Sequence, residues 1–442
     1  MSQPSRYARL ATFAFTVSLV GLAANAVCFF LNRALDARQE RVNPVSRKYG
    51  TDLTEHYPGM SADEVDEMLR VTWKLPGLYA PFTGRKVGPV ASRFVNVAPE
   101  GYRLGRNQRP WPPDASRDTV VFVLGGSTAF GFGVPDGETI PSHLQELLAE
   151  AGVPRPAVYN LAVPAHNSTL ERIQLQQLLA EGRVPAVAVL LDGYNDRAVS
   201  DEPLGTPMVE QILNSGAYQK PSSLLLRAAL QMPLTRSLSR LLHATGLRKS
   251  QEEPATDLDP QAFAELVVGR YRTNQRMTAA VAASFGVRPL FVWQPVPDFA
   301  YPPEHFPFDD LANPEYGPKR RVYEEMAKLH AEGALGPDFH WCADLGRDAT
   351  RSLYVDVAHY SGEMSRRIAA CIAAALTPSV PLSRPAPSSL PGEGEAGGGP
   401  GTRTGDPSAS LGVTAGCTSP PDPSPGGWSG RAGRGAGVRV SG

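Results

Sequence analysis

Thr119-Val120-Val121-Phe122-Val123-Leu124-Gly125-Gly126-Ser127-Thr128 is an apolar run that ends on two glycines and a pair of hydroxyls. Unbroken apolarity rich in β-branched residues, closed by glycine, marks a strand buried on both faces, as in a parallel sheet. The pattern repeats downstream as strand, loop and helix. A helix is expected over 138–151, with Ile140, Leu144, Leu147 and Leu148 on one face. A second strand follows at 157–161, then a helix at 168–181 with Ser168 as its N-cap and Glu171 three residues on. Strands are expected at 186–191 and 289–293, with a long helix over 261–285 between them. A weaker fifth strand lies at 340–343, before a last helix over 362–376. Such alternation implies a mostly parallel five-stranded sheet covered on both faces, an α/β fold of three layers, α/β/α, spanning 119–376.

The flanking sequence divides further. After a short segment, 1–9, residues 10–31 form a run of 22 residues without a charge, long enough to span a bilayer. It is read as an uncleaved transmembrane anchor. A cleavable signal peptide is the competing reading, because Ala24-Asn25-Ala26 has the form of a cleavage site, but Val27-Cys28-Phe29-Phe30-Leu31 carries the apolar run past it. Basic residues flank both ends, so the orientation stays open. Residues 32–118 form an N-terminal extension, polar and stalk-like over 32–60. Ser61-Ala62-Asp63-Glu64 reads as a capping box that opens a helix through Trp73. Segments 94–97 and 100–103 are candidates for an added edge strand or for packing beside the catalytic face. Residues 198–258 are an insertion with leucines among basic residues, read either as a lid or acyl-chain wall or as an ordinary helix on the domain. Residues 377–442 are more than half Gly, Pro and Ser, the composition of a disordered tail.

The net charge is −1, which gives no electrostatic footprint for nucleic acid. Four cysteines are too few for a disulfide scaffold. Cys342 and Cys371 fall in folded sequence, as one bridge in an extracytoplasmic domain or as two free thiols. No CxxC or His/Cys cluster implies a metal, and no cofactor motif is present.

The chemistry-bearing residues fall at strand ends. Ser127 follows the first strand, at the carboxyl edge where open α/β sheets place their sites. Asn160-Leu161-Ala162-Val163-Pro164-Ala165 follows the second strand, and Asp192-Gly193-Tyr194-Asn195-Asp196 follows the third. Asp356-Val357-Ala358-His359 precedes the last helix. A serine hydroxyl needs an imidazole to take its proton and a carboxylate to hold that imidazole, and this chain offers all three. Each motif alone has an ordinary reading, as a turn or a helix cap.

Taken together, in order and spacing, the four blocks resemble those of the SGNH hydrolases, a branch of the GDSL esterase/lipase superfamily. The resemblance covers 119–376 and implies a flavodoxin-like fold, no cofactor and ester hydrolysis. It implies Ser127 as nucleophile, His359 as base and Asp356 as orienting acid. It also implies an oxyanion hole from Ser127, Ala165 and Asn195. Two departures stand out. The family's Gly-Asp-Ser is Gly125-Gly126-Ser127 here, and the second-block glycine is Ala165. Gly126, Gly193, His166 and Gln294 are the candidate substrate contacts. No Gly-x-Ser-x-Gly elbow surrounds Ser127, which argues against the α/β-hydrolase layout. The expected activity is that of a membrane-anchored esterase with its catalytic domain outside the cytoplasm (periplasmic), acting on a carbohydrate O-acyl group in a polysaccharide. Acyl transfer to a glycan through the same triad, a lipid or short-acyl esterase, and a non-catalytic glycan-binding protein are the alternatives.

Overall fold

The computed structural model describes residues 5–39, 43–49, 53–197, 229–245 and 259–377. All of these belong to the first of two compact units, Met1–Ser388, the second being Ser389–Gly442. Residues 378–442, expected as a disordered tail, lie outside the described residues. So does most of the 198–258 insertion.

The chain opens with the helices α1 (Arg6–Gln39), α2 (Pro44–Tyr49) and α3 (Ala62–Trp73), followed by a two-stranded antiparallel ribbon, β1 (Gly77–Leu78) and β2 (Lys86–Val87). The α/β domain follows as β3 (Thr119–Gly125), α4 (Ser127–Phe130), α5 (Ile140–Glu150), β4 (Pro156–Asn160), α6 (Ser168–Ala180) and β5 (Val187–Asp192). After the insertion helix α7 (Pro233–Ala244) come α8 (Pro260–Ser284), β6 (Arg288–Trp293), α9 (Tyr316–Ala331), β7 (Phe339–Trp341) and α10 (Gly362–Leu376). The five-stranded sheet has the order β4-β3-β5-β6-β7, and every pairing in it is parallel. Its order reverses beside β3, which places the carboxyl ends of β3, β4 and β5 around one crevice.

Side-chain alternation along β3 divides the core in two. Val121 and Val123, with Val189, Leu191 and Val292, pack against Ile140, Leu144 and Leu148 of α5 and Ile368 and Ile372 of α10. Phe122 and Leu124, with Leu190, Phe291 and Trp293, pack against Leu175 of α6, Phe263 and Val267 of α8, and Met326 of α9. Both faces are thus covered, so the central residues of β3, β5 and β6 are apolar in succession rather than in alternation. Each such side chain stabilises the fold by roughly 1.5–3 kcal/mol through burial.

The expected elements lie within a residue or two of these bounds, with four differences. Helix α9 has no counterpart in the sequence reading. Its sequence is rich in Arg, Lys and Glu, it carries Gly317-Pro318 in its first turn, and of its residues only Val322, Tyr323 and Met326 are buried. Proline is tolerated there because the first-turn N–H groups have no intrahelical acceptor. The cap of α6 is Asn167, not Ser168: its Oδ1 accepts from the N–H groups of Thr169 and Leu170. The expected stalk over 32–60 is in part packed, with Val45, Leu53 and Tyr57 buried in the core and the Tyr57 hydroxyl donating to the Gly133 carbonyl (2.6 Å). Helix α7 hydrogen-bonds to α1 through Pro233, Leu234, Ser237 and Arg240.

Two open readings take a definite form. Val97, Arg103 and Asn160 are joined by antiparallel bridges, so the 94–103 region extends the sheet edge at the end of β4. Cys342 and Cys371 form a disulfide that ties the end of β7 to α10. Among the described residues, α1 is one helix long and apolar enough to cross a membrane.

Candidate active site

The β3 strand delivers its last residues to the carboxyl edge, where Gly125 takes φ +157° and Gly126 caps the short helix α4. Ser127 is the first residue of that helix, so its backbone N–H is among those a helix cannot satisfy internally. The turn after α4 is pinned from below by Arg103. Its guanidinium is fully buried and donates to the carbonyls of Phe130 (3.1 Å), Gly131 (2.6 Å) and Val134 (2.7 Å). It pairs with Asp136 at 2.9 Å, which offsets the cost of burying the charge.

Ser127, Asp356 and His359 come together at this edge. His359 Nε2 lies 2.8 Å from Ser127 Oγ. His359 Nδ1 lies 2.8 Å from Asp356 Oδ2 and 2.9 Å from Oδ1. Asp356 Oδ1 also accepts from the backbone N–H groups of Ala358 (2.8 Å) and His359 (2.7 Å). Burial pushes the Asp356 carboxyl upward, but the His359 ring and these donors outweigh it and hold the group below the usual carboxylate range. An ionised Asp356 keeps a proton on Nδ1 and leaves Nε2 as acceptor for the serine hydroxyl. The imidazole is packed against two aromatic rings that also touch each other, at 5.3 Å. Phe132 stacks on it at 5.1 Å, and Trp73 of α3 meets it edge-on at 5.4 Å. Neither aromatic was singled out from the sequence. Phe132 stands in an alternation of Phe and Gly, 130–133, shortly after Ser127, and Trp73 lies 54 positions before Ser127 in another segment.

Ala165 and Asn195 line the same edge. Ala165 is exposed and adopts φ +67°. This left-handed conformation costs a residue with a Cβ about 1 kcal/mol, which accounts for glycine being the residue usual at this position in the family that the sequence resembles. Asn195 Nδ2 donates to the His166 carbonyl at 2.7 Å. Gly126 makes room for this amide: a Cβ at 126 would fall 2.0 Å from Asn195 Nδ2. The Gly-Gly-Ser departure is therefore tied to the placement of Asn195. Gly193, at φ +118°, is equally constrained, since a Cβ there would meet the Tyr323 hydroxyl at 2.6 Å.

The two remaining candidate contacts are placed differently from expectation. His166 and Gln294 are each only 1% exposed. The His166 ring is buried, which pushes it down to about 4 and keeps it neutral, so its contribution at the site is the carbonyl that holds Asn195. Gln294 Oε1 accepts from the Tyr360 hydroxyl (2.9 Å), and its carbonyl accepts from Tyr323 (2.9 Å), so it braces β6 beneath the site. A strand-end position gave no sign of side-chain direction in either case.

Beneath the Gly193–Asn195 turn lies a group of acids with no sequence signature. Glu171 and Asp192 are buried, and their carboxylate oxygens meet no backbone N–H or cationic side chain among the described residues. Instead the two carboxyls face each other, with Tyr271 beside Asp192. A carboxyl–carboxyl contact is a hydrogen bond only when one partner carries a proton. Burial, reinforced by the neighbouring acids, raises both groups well above the usual carboxylate range. Asp196 stays hydrogen-bonded to Ser168 (2.6 Å) and to the Gly193 N–H (3.1 Å), and Arg197 is locked to Asp298 at 2.6 Å.

No family model matches the chain, and no curated protein matches it. Solved structures do. A putative lipolytic protein of the G-D-S-L family from Desulfitobacterium hafniense is 12% identical, over 58% of this chain and 99% of that one, with a TM-score of 0.31. The psychrotrophic esterase EstA from Pseudoalteromonas sp. is 11% identical, over 58% and 96%, with a TM-score of 0.31. The acetyl xylan esterase AlAXEase is 13% identical, over 58% and 99%, with a TM-score of 0.33. At such distances the chemistry has to be read from this chain's own contacts.

Gly126→Ala should push Asn195 aside. Its kcat on p-nitrophenyl acetate should fall about 100-fold, the scale of one lost oxyanion donor. The double variant Gly126→Ala/Asn195→Ala should be no slower than Asn195→Ala alone, and additive losses would show that the two act separately. For the Glu171–Asp192 pair the sign is that of acids raised on folding. Their contribution to stability is complete below the ordinary carboxylate range and is lost as pH rises through the raised values. Melting temperature should fall toward alkaline pH in the wild type and fall less in Glu171→Gln; equal slopes would contradict a shared proton.

Proposed function

We propose that this chain is a serine esterase of the SGNH type. The observation that carries the reading is the continuous line of contacts from Asp356 through His359 to Ser127 Oγ, at 2.8 Å in each link. His359 Nε2 removes the Ser127 proton as Oγ bonds to the acyl carbon, and the carbonyl π electrons move onto oxygen. The resulting oxyanion is met by the N–H groups of Ser127 and Ala165 and by the second amide hydrogen of Asn195. His359 returns its proton to the departing alkoxide, leaving an acyl group on Ser127. Water then enters by the same route, its proton passing to Nε2 and the acid leaving as Ser127 recovers its hydrogen. Asp356 stays ionised and stabilises the imidazolium. Phe132 and Trp73 limit the tilt of the ring, so that the same Nε2 serves both half-reactions.

For the substrate, a carbohydrate O-acyl group is the class favoured, and a lipid ester is the second reading, supported by the exposed leucines of α7. The domain is assigned outside the cytoplasm, anchored through 10–31. The Cys342–Cys371 disulfide supports this location, because such bonds persist in oxidising compartments.

With p-nitrophenyl acetate as substrate, Ser127→Ala and His359→Ala should each lower kcat by about 10⁴-fold or more, and the double variant should fall no further. Asp356→Asn should also lose activity by orders of magnitude while keeping its melting temperature within a few degrees. Wild-type kcat in a folded Ser127→Ala variant would remove the assignment.

A further inference from the structure

Asn25 and Asn32 put two amides on one side of α1, one inside the last third of its apolar run and one just beyond its end. A polar side chain in hydrocarbon is costly unless another protein group satisfies it. Here α7 supplies those groups. Asn25 Oδ1 accepts from the Leu234 N–H (3.1 Å), a first-turn amide of α7 that has no acceptor within its own helix. Asn32 Nδ2 donates to the Pro233 carbonyl (2.9 Å), and its Oδ1 accepts from Ser237 (3.2 Å) and Arg240 (3.0 Å). Beyond the run, Asp36 pairs with Arg236 (3.1 Å) and Arg240. One face of α7 is thus spent on the polar side of α1.

The face beside it is apolar and, among the described residues, open. Leu234, Leu238 and Leu241, at i, i+4 and i+7, form one stripe, and all three are exposed, as are Leu230 and Met232 just before the helix. The circumference of α1 that these contacts leave exposed is apolar as well, with Val27, Phe30 and Leu31 on the side away from the asparagines. In water such a stripe has no favourable neighbour. Against lipid it continues the surface by which α1 itself would enter the bilayer.

We propose that α7 is a second membrane element, an amphipathic helix embedded in the lipid interface beside α1, with its leucine stripe facing acyl chains. This rests on the reading of α1 as an anchor. Depth agrees with it. Asn25 lies six residues before Leu31, about 9 Å along the helix axis, and interfacial helices sit about 5–10 Å into the headgroup boundary. Arg236 and Arg240 then emerge at headgroup level, next to Asp36. The α/β domain follows closely along the chain: α2 begins at Pro44, and its Val45 is buried in the domain core. An embedded α7 would therefore keep the domain close to the membrane surface, within reach of esters presented there.

The test uses the full chain with Cys28→Ser and Cys417→Ser, leaving the disulfide intact. A single nitrobenzoxadiazole label is placed through Leu238→Cys or, as a report on α1 alone, through Val20→Cys. The protein is reconstituted in phosphatidylethanolamine/phosphatidylglycerol vesicles, and quenching by doxyl lipids is compared with quenching by aqueous iodide. The label at 238 should be quenched several-fold more by shallow doxyl lipids than by iodide, and the label at 20 by deep doxyl lipids. If 20 is quenched by lipid while 238 responds to iodide, α7 lies in water and the proposal fails with the anchor intact. If 238 is shielded from both quenchers and cross-links between copies, a protein partner covers the stripe and the proposal fails. If neither position responds to lipid, the anchor reading fails and takes the proposal with it.

Discussion

The contact between Ser127 Oγ and His359 Nε2 joins residues 232 positions apart, and it exists because a parallel sheet lines up the carboxyl ends of its strands. Ser127 reaches that edge on β3. His359 reaches it on the turn before α10, a helix held against α5 by Ile368 and Ile372 and tied to β7 by the Cys342–Cys371 disulfide. Register errors in β3 or slippage of α10 would separate the pair long before they unfolded the domain. The short Asp356–His359 spacing removes a further degree of freedom, because one turn of chain carries both the carboxylate and the ring it orients.

Holding this edge in place has local costs that the core offsets. Ala165 sits in a left-handed conformation, Gly126 is bare so that Asn195 can pass, and Arg103 and Arg197 are charges buried beside the turns they secure. Glu171 and Asp192 add a buried carboxyl pair under the third turn. None of these would be selected for stability alone. Each fixes a backbone segment that carries a candidate site residue, which is where strain and buried polarity are expected to concentrate.

The sheet and its order of elements were legible because buried parallel strands are apolar in every residue, a signal that Val120–Leu124 and Ala188–Leu191 carry without interruption. Ser127, Asn195, Asp356 and His359 were legible as short motifs at strand ends. What escaped was set by tertiary contact. The charges of α9 mask its three buried residues, and Trp73 reaches His359 from a separate segment. The direction of the Gln294 and His166 side chains depends on Tyr360 and on the turn around Asn195, neither of which a linear pattern encodes. Helix α7 showed its leucines in the sequence, but its partner, the asparagines of α1, lies some 200 residues away.

The central claim is an activated hydroxyl at 127, and a fluorophosphonate tests it most directly. The folded wild-type protein is incubated with the probe, digested, and its adduct located by mass spectrometry, beside His359→Ala. The account predicts a single phosphonylated peptide containing Ser127, with labelling slowed by orders of magnitude in His359→Ala. An adduct on another residue, or equal labelling rates in the two proteins, would contradict it.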